Sequence, residues 1–236
     1  MRPTVVVLPG MDGAARLLGG FAEAMQPFAD VQLIDLPDDR ALGYDELTDA
    51  MQGQLPEGRP FFLLGYSFSG PIAIRLAAEQ PNGLVGLILC CTFACTPRPL
   101  LTQFATWIPL SLVPSRLQAT LLFGLHGDST IRGAFKQVMT QLNTKVLGRR
   151  IAAASTVDEL AKLGCIQVPM LYLRAKGDQL VPVSAGRLIF EKSSNCTLKA
   201  IPGPHALLHI RPDEAAREIV LFIKQRMDGL SASQPV

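Results

Sequence analysis

The sequence predicts an α/β protein in which helices cover both faces of a mostly parallel, doubly wound sheet. Three observations lead to this class. Short continuous runs of Val, Ile and Leu alternate with amphipathic segments, each run has the length of a buried strand, and one long segment interrupts the alternation. With 236 residues, 48% of them hydrophobic and 18% charged, the chain is long enough for one sizeable domain with a large core.

The predicted elements follow from hydrophobic periodicity and from helix start signals. Mainly apolar runs predict strands at Thr4–Leu8, Val31–Asp35, Phe61–Tyr66, Leu84–Cys91, Pro169–Arg174 and Thr197–Ile201. Amphipathic segments predict the alternating helices at Ala14–Gln26, Tyr44–Gln54, Phe68–Gln80, Val183–Lys192 and Pro212–Arg226. The second helix opens with acidic residues and the last has proline in its first turn, which are both typical of helix N-termini.

The segment Thr96–Lys162 interrupts this alternation and predicts a helical cap inserted into the domain. It contains no clear strand and is rich in Leu, Pro and Phe. The predicted organisation is therefore a core of residues 1–95 and 163–236 with a cap of residues 96–162. Between Pro97 and Lys162 there are eight Lys/Arg and three Asp/Glu, so this part carries a net charge of +5 and the rest of the chain −3.

Composition excludes several classes of function. A net charge of +2, with no basic run longer than Arg149-Arg150, argues against nucleic-acid binding. The sequence shows no signal-peptide pattern and no apolar stretch of transmembrane length, which predicts a soluble, cytoplasmic protein without membrane insertion. Five cysteines without metal-ligand spacing predict free thiols and no metal site.

The stretch G-Y-S-F-S-G-P at residues 65–71 lies where a predicted strand meets a helix. A nucleophile on such a sharp turn needs small residues two positions before and after it. Ser67 has Gly65 and Ser69 at those positions, whereas Ser69 would have Ser67 and the bulkier Pro71. Ser67 is therefore the candidate nucleophile, and a helix cap without chemistry is the alternative.

The segment L-L-G-Y-S-F-S-G-P-I-A-I-R-L-A resembles the strand–turn–helix segment of the α/β-hydrolases, with serine in place of the usual second glycine. The resemblance implies that family's order of nucleophile, acid and histidine along the chain. His205 follows a predicted strand and is the candidate base; His209 and His126 are alternatives. Asp178, in G-D-Q-L-V-P, resembles the family's acid, and a simple turn residue is the alternative. No Asp or Glu occurs between Glu79 and Asp128, which excludes an acid one strand earlier.

The loop L-P-G-M-D-G after the first strand has the place of the family's oxyanion loop. By resemblance, the backbone N–H groups of Met11 and Phe68 would bind the substrate oxyanion. No phosphate-binding glycine motif occurs in the sequence. Together with G-Y-S-F-S-G-P, this loop resembles a subgroup related to plant acyl-ester synthases and thioesterases.

These residues predict an esterase or thioesterase that works through an acyl-enzyme on Ser67, and the resemblance implies no metal and no organic cofactor. A basic cap could steer an acidic carrier, acyl carrier protein or coenzyme A, that forms part of the substrate, as in the carrier-protein methyl-ester esterases that the chain resembles; a solvated cap face is the alternative. Trp107 and Phe123 are candidate pocket residues in the apolar cap. Acyl transfer to an alcohol and a non-catalytic binding protein on the same fold are the alternatives.

Overall fold

A parallel six-stranded sheet forms the centre of the protein, of which this computed structural model describes residues 2–97, 120–124 and 129–232. The strands are β1 (Thr4–Leu8), β2 (Asp30–Leu33), β3 (Phe61–Tyr66), β4 (Leu84–Cys90), β5 (Met170–Ala175) and β6 (Cys196–Ile201). Their order in the sheet is β2-β1-β3-β4-β5-β6, and every described pairing is parallel. From β1 the chain adds β2 on one side of the sheet and then β3 to β6 on the other side, as the doubly wound prediction requires.

The helices of the described residues alternate with these strands. They are α1 (Gly19–Met25), α2 (Tyr44–Gln52), α3 (Gly70–Ala78), α4 (Ser129–Gln141), α5 (Thr144–Ala154), α6 (Leu160–Leu163), α7 (Val183–Lys192), α8 (Leu207–Ile210) and α9 (Pro212–Ala232). No helix within the described ranges is both long and apolar enough to cross a membrane.

Both faces of the sheet are covered, which confirms the predicted fold class. Successive residues of a strand point to opposite faces. Val5 and Val7 of β1 pack with buried residues of α1 and α9, whereas Val6 and Leu8 pack with those of α2, α3 and α7. The central strands β1 and β3 are completely buried, which explains why each is a continuous apolar run instead of an alternating one.

Several predicted boundaries differ from those of the structure, and two of them concern the second strand and the first helix. The second strand runs from Asp30 to Leu33 and not from Val31 to Asp35, because its pairing with β1 stops at Leu33. Asp35 instead accepts a hydrogen bond from the Ala15 N–H at 2.6 Å. The helix predicted from Ala14 is a 3-10 turn followed by α1, which begins at the pair Gly19-Gly20.

The two ends of the inserted segment meet beside the sheet. Cys95 and Asp158 form an isolated antiparallel bridge, and the Glu159 N–H donates to the Ala94 carbonyl at 2.7 Å. The Glu159 carboxylate is buried, and it is neutralised by Arg75 of α3 at 2.6 Å and by Lys162 at 2.8 Å. Between these ends, α4 and α5 agree with a helical cap, and the exact domain limits stay a prediction.

Candidate active site

Ser67 lies at a sharp turn between β3 and a 3-10 turn that leads into α3. Its backbone has φ of +51°, a left-handed conformation that is uncommon for a residue other than glycine and that tends to occur at functional sites. A Cβ on Gly65 would lie 2.6 Å from the Ala73 Cβ and 2.8 Å from the Ser69 carbonyl oxygen. The turn therefore needs glycine at position 65, as the sequence motif predicts.

Thr92, which follows β4, holds this turn through hydrogen bonds and packing. Its hydroxyl donates a hydrogen bond to the Ser67 carbonyl, and its own carbonyl accepts one from the Tyr172 hydroxyl at 2.7 Å. Thr92 is fully buried and packs against the Cα of Gly70, where no side chain would fit. These contacts hold the strained backbone of Ser67 in place.

The structure brings Ser67, His205 and Asp178, named here the triad, into one hydrogen-bonded array. Ser67 Oγ lies 2.8 Å from His205 Nε2, and His205 Nδ1 lies 2.8 Å from Asp178 Oδ2 and 3.0 Å from Oδ1. The histidine and aspartate side chains are only 3% and 4% exposed, whereas Ser67 is partly open to solvent. Of the three side chains, that of the candidate nucleophile is therefore the most exposed to solvent.

The hydrogen bonds of the triad indicate which imidazole nitrogen carries the proton. An ionised Asp178 carboxylate only accepts hydrogen bonds, so its short contact places the proton on His205 Nδ1. The lone pair of Nε2 then faces the Ser67 hydroxyl, which is the arrangement that a general base needs.

The loops that carry Asp178 and His205 continue the pairing of β5 with β6. The Gly177 N–H donates to the Gly203 carbonyl at 2.8 Å, which joins the two loops next to the triad. Asp178 Oδ1 also accepts a hydrogen bond from the Val181 N–H at 2.8 Å. The carboxylate is thus fixed on both sides, by backbone donors and by the imidazole, as expected at the carboxyl edge of a parallel sheet.

His209 does not contact Ser67 in the structure. Its ring centroid lies 5.8 Å from that of Tyr66 and 6.1 Å from that of Phe123, and its Nδ1 has no hydrogen-bond partner among the described residues. Burial, with a smaller contribution from His205, lowers the pKa of His209 to about 4. His126, the other alternative, lies outside the described residues.

We expect the neutral His209, which is largely but not fully buried, to make stability depend on pH. Its pKa is lower in the folded protein than the usual 6.5 of an unfolded chain, so between these values the unfolded state binds more protons and acid favours unfolding. From pH 7 to pH 5 this group alone reduces the free energy of unfolding by about 2 kcal/mol. Urea denaturation at both pH values measures the loss.

The matched variant for this prediction is His209→Phe, which keeps an aromatic ring against Tyr66 and Phe123. Its loss of stability between pH 7 and pH 5 is expected to be about 2 kcal/mol smaller than that of the wild type. Equal losses in the two proteins would show that His209 is protonated, or exposed, in the folded state.

The β1 loop (Pro9–Gly13) carries the first candidate oxyanion donor. The Gly13 N–H donates to the Gly10 carbonyl at 3.0 Å, which closes a tight turn around Met11. Because the carbonyl and the N–H of one peptide unit point in opposite directions, the Met11 N–H is turned away from this hydrogen bond. Among the described residues it has no acceptor, so it is available to a substrate oxygen.

Phe68 carries the second candidate donor and is held by Tyr44 of α2. The two rings stack with centroids 4.8 Å apart, and the Tyr44 hydroxyl donates to the Phe68 carbonyl at 3.0 Å. Both residues are buried, so the backbone that follows Ser67 has little freedom to rotate. An oxyanion site of this kind depends on such fixed donors.

Two further side chains bind the β1 loop, and the sequence motifs gave no sign of either. Ser69 is fully buried, and its hydroxyl donates to the Pro9 carbonyl. Arg150 of α5 is 1% exposed and donates to the Met11 carbonyl at 2.8 Å. Ser69 therefore does more than tolerate the turn, since it joins the turn to the β1 loop.

Of the two predicted pocket residues, the structure describes Phe123 only. Trp107 lies outside the described residues. Phe123 is buried, packs edge-to-face on Phe135 with centroids 5.4 Å apart, and also meets His209. Its segment contacts the loop of His205 directly, because the Ala206 N–H donates to the Leu122 carbonyl at 2.8 Å. Phe123 is thus placed where the cap meets the histidine loop, and its role in a pocket stays a prediction.

The remaining potential ligands do not form a metal centre in the described part of the chain. No group of three or more His, Cys, Asp or Glu side chains is arranged to hold an ion there. All five cysteines are free thiols; Cys90 and Cys91 are buried, with their sulfurs 4.0 Å apart, whereas Cys165 is exposed.

Known proteins are similar to this chain in sequence. The family model for serine aminopeptidase, S33, matches residues 37–209, which include all three members of the triad. Human monoglyceride lipase is 29% identical over 207 residues, which cover 80% of this chain and 66% of the lipase. The biotin biosynthesis bifunctional protein BioHC of Cellvibrio japonicus is 26% identical over 232 residues, covering 88% of this chain and 45% of that protein. The chain thus spans less than two thirds of the length of either relative.

Solved structures share the fold at low sequence identity. A hydrolase from Oleispira antarctica superposes with a TM-score of 0.82 at 15% identity, over 95% of this chain and 92% of that one. At this identity the likeness concerns the arrangement of strands and helices alone. It agrees with the doubly wound sheet described above.

Proposed function

Because the chain belongs to the serine aminopeptidase family of α/β-hydrolases, we propose that it is a serine hydrolase that cleaves carboxylic esters or thioesters through an acyl-enzyme on Ser67. The observation that carries the proposal is the 2.8 Å contact between Ser67 Oγ and His205 Nε2, at a turn whose strained backbone presents the serine to solvent. A serine hydroxyl is a weak nucleophile unless such a base accepts its proton.

The reaction follows from the positions of the atoms. Ser67 Oγ attacks the acyl carbonyl carbon while its proton passes to His205 Nε2. Asp178 holds the imidazole and stabilises its positive charge. The N–H groups of Met11 and Phe68 bind the oxyanion of the tetrahedral intermediate. His205 then protonates the leaving alcohol or thiol, and water, activated by the same imidazole, releases the acid.

The relatives favour an ester over a peptide substrate. Human and mouse monoglyceride lipases are lipases by name. We therefore expect p-nitrophenyl esters and acyl thioesters to be hydrolysed, and aminoacyl p-nitroanilides, the substrates of an aminopeptidase, to react at least about 100-fold more slowly in kcat/KM.

Covalent labelling tests the proposed nucleophile. A fluorophosphonate probe is expected to modify one residue, and peptide mass spectrometry is expected to locate the adduct on Ser67. The matched control is Ser184→Ala, which removes an exposed serine at the start of α7 and should label like the wild type. An unlabelled protein would favour a non-catalytic binding role. Product analysis with an added alcohol distinguishes hydrolysis from acyl transfer.

An acidic acyl carrier is the finer hypothesis for the leaving group. Fewer basic side chains of the cap are available to a carrier than the charge count suggests, because Arg150 is buried and Lys162 pairs with Glu159. Lys136 and Lys145 remain exposed on α4 and α5. If they steer a carrier, Lys136→Glu with Lys145→Glu should lower kcat/KM for an acyl carrier protein ester and leave a p-nitrophenyl ester unaffected. Equal effects on both substrates would contradict it.

A further inference from the structure

Arg150 is a buried cation that reaches from the cap to the loop beside the candidate nucleophile. Its side chain extends from α5 so that Nη1 donates to the Met11 carbonyl and Nη2 donates to the Pro37 carbonyl, each at 2.8 Å. Only 1% of the residue is exposed. The guanidinium therefore joins the cap to two core loops, one after β1 and one after β2.

The β1 loop is shaped around this guanidinium. Gly13 has φ of +77°, a conformation that favours glycine, and a Cβ at this position would lie 2.5 Å from Arg150 Nη1. A residue with a side chain would displace the arginine. The sequence L-P-G-M-D-G thus supplies a glycine where the cap arginine must approach the backbone closely.

Three consecutive carbonyl groups of this loop are each held by a hydrogen bond. The Pro9 carbonyl accepts from Ser69 Oγ, the Gly10 carbonyl from the Gly13 N–H, and the Met11 carbonyl from Arg150. Together they fix the peptide planes on both sides of the Met11 N–H. The Gly13 N–H thus sets the direction of the Met11 N–H most directly, and one residue of the nucleophile turn and one residue of the cap hold the peptide planes on either side of it.

Burying a guanidinium is costly, and the surroundings of Arg150 compensate only in part. Desolvation lowers its pKa, whereas the carboxylates of Asp12 and Asp38 act in the opposite direction. An apolar side chain of similar volume would fill the same space without this cost. What the guanidinium adds is directional hydrogen bonding to backbone carbonyls.

We propose that Arg150 is a positioning residue that orients the Met11 N–H toward the substrate oxyanion, so that the cap controls the oxyanion site of the core. The catalytic part of this inference rests on the proposed ester hydrolysis; the ordering of the loop does not. Arg150 touches no reacting atom and acts through the backbone of the β1 loop.

The test compares Arg150→Met with Arg149→Met, which removes the same charge from the exposed neighbouring residue. Arg150→Met is expected to lower kcat for a p-nitrophenyl ester by about 10–100-fold with KM changed less than about threefold, because misdirecting one oxyanion donor weakens transition-state binding alone. Hydrogen exchange of a peptide covering residues 10–14 should become at least about tenfold faster. Arg149→Met should match the wild type in both measurements.

Two more variants distinguish a change in the β1 loop from a general loss of folding. Arg150→Lys, which retains the charge and one hydrogen bond, is expected to recover part of the kcat, and Ser69→Ala should loosen the same loop from the other side. Unchanged exchange of residues 10–14 in Arg150→Met would overturn the inference, and so would faster exchange with an unchanged kcat. If the wild type hydrolyses no ester, the proposed function fails, and the hydrogen-exchange comparison alone decides whether Arg150 orders the loop.

Discussion

Ser67→Ala is expected to reduce kcat for a p-nitrophenyl ester by about 10⁵–10⁶-fold, which is the loss seen when the nucleophile of a serine triad is removed. The change deletes only Oγ, whose hydrogen bond is the one to His205. Fluorophosphonate labelling should be lost at the same time. The melting temperature should stay within a few degrees of the wild type, because Ser67 lies at the surface of the site and not in the core.

Ser67→Gly provides the control for this experiment. Glycine in a helix interior usually costs about 1 kcal/mol relative to alanine, but at φ of +51° glycine avoids the strain that alanine would feel. Ser67→Gly should therefore be at least as stable as Ser67→Ala and equally inactive. Hydrolysis by either variant within 100-fold of the wild type would show that Ser67 is not the nucleophile.

The sequence was sufficient to locate the triad because its members depend on local signals. Each follows a mainly apolar run, and each run is a strand whose carboxyl end lies at the same edge of the sheet. The order of Ser67, Asp178 and His205 along the chain then limited the choice. The parallel sheet brings together residues as distant as Ser67 and His205, which are 138 positions apart.

Contacts between distant side chains and backbone carbonyls could not be predicted in this way. Ser69 looked like a permissive substitute for glycine, because nothing near it in the sequence indicates the Pro9 carbonyl that it binds, 60 positions away. Arg150 was counted as part of a basic cap surface, although it is buried against the β1 loop. Charge counts describe a surface correctly only for residues that remain exposed.

The same limit applies to the ends of the predicted elements. Val31–Asp35 has the composition of a strand, but the length of the edge strand is set by its pairing with β1, which ends at Leu33. Local sequence favoured Asp35 as a strand residue, whereas the structure uses its carboxylate to hold the Ala15 N–H. Periodicity thus located the six strands and the helices that alternate with them, and tertiary hydrogen bonds determined where β2 stops.

Asp178→Asn should reduce kcat by about 10⁴-fold without unfolding the protein. An asparagine amide can present its N–H₂ to His205 Nδ1, which moves the imidazole proton to Nε2 and leaves no lone pair facing Ser67. The side-chain oxygen can still accept the hydrogen bonds from the Leu180 and Val181 N–H groups, so the loop should keep its shape. Stopped-flow measurement of acylation by a p-nitrophenyl ester would report this step directly.

Asp39→Asn, which neutralises an exposed carboxylate, is the matched control and should acylate at the wild-type rate. A fall in the acylation rate confined to Asp178→Asn, with unchanged melting temperature, would assign the orienting role to Asp178. Activity within tenfold of the wild type would instead require another carboxylate at His205. The neighbouring strand β4 cannot supply such a carboxylate. It lies wholly between Glu79 and Asp128, and the sequence has no Asp or Glu between these two residues. Retained activity would therefore require a carboxylate from another part of the chain.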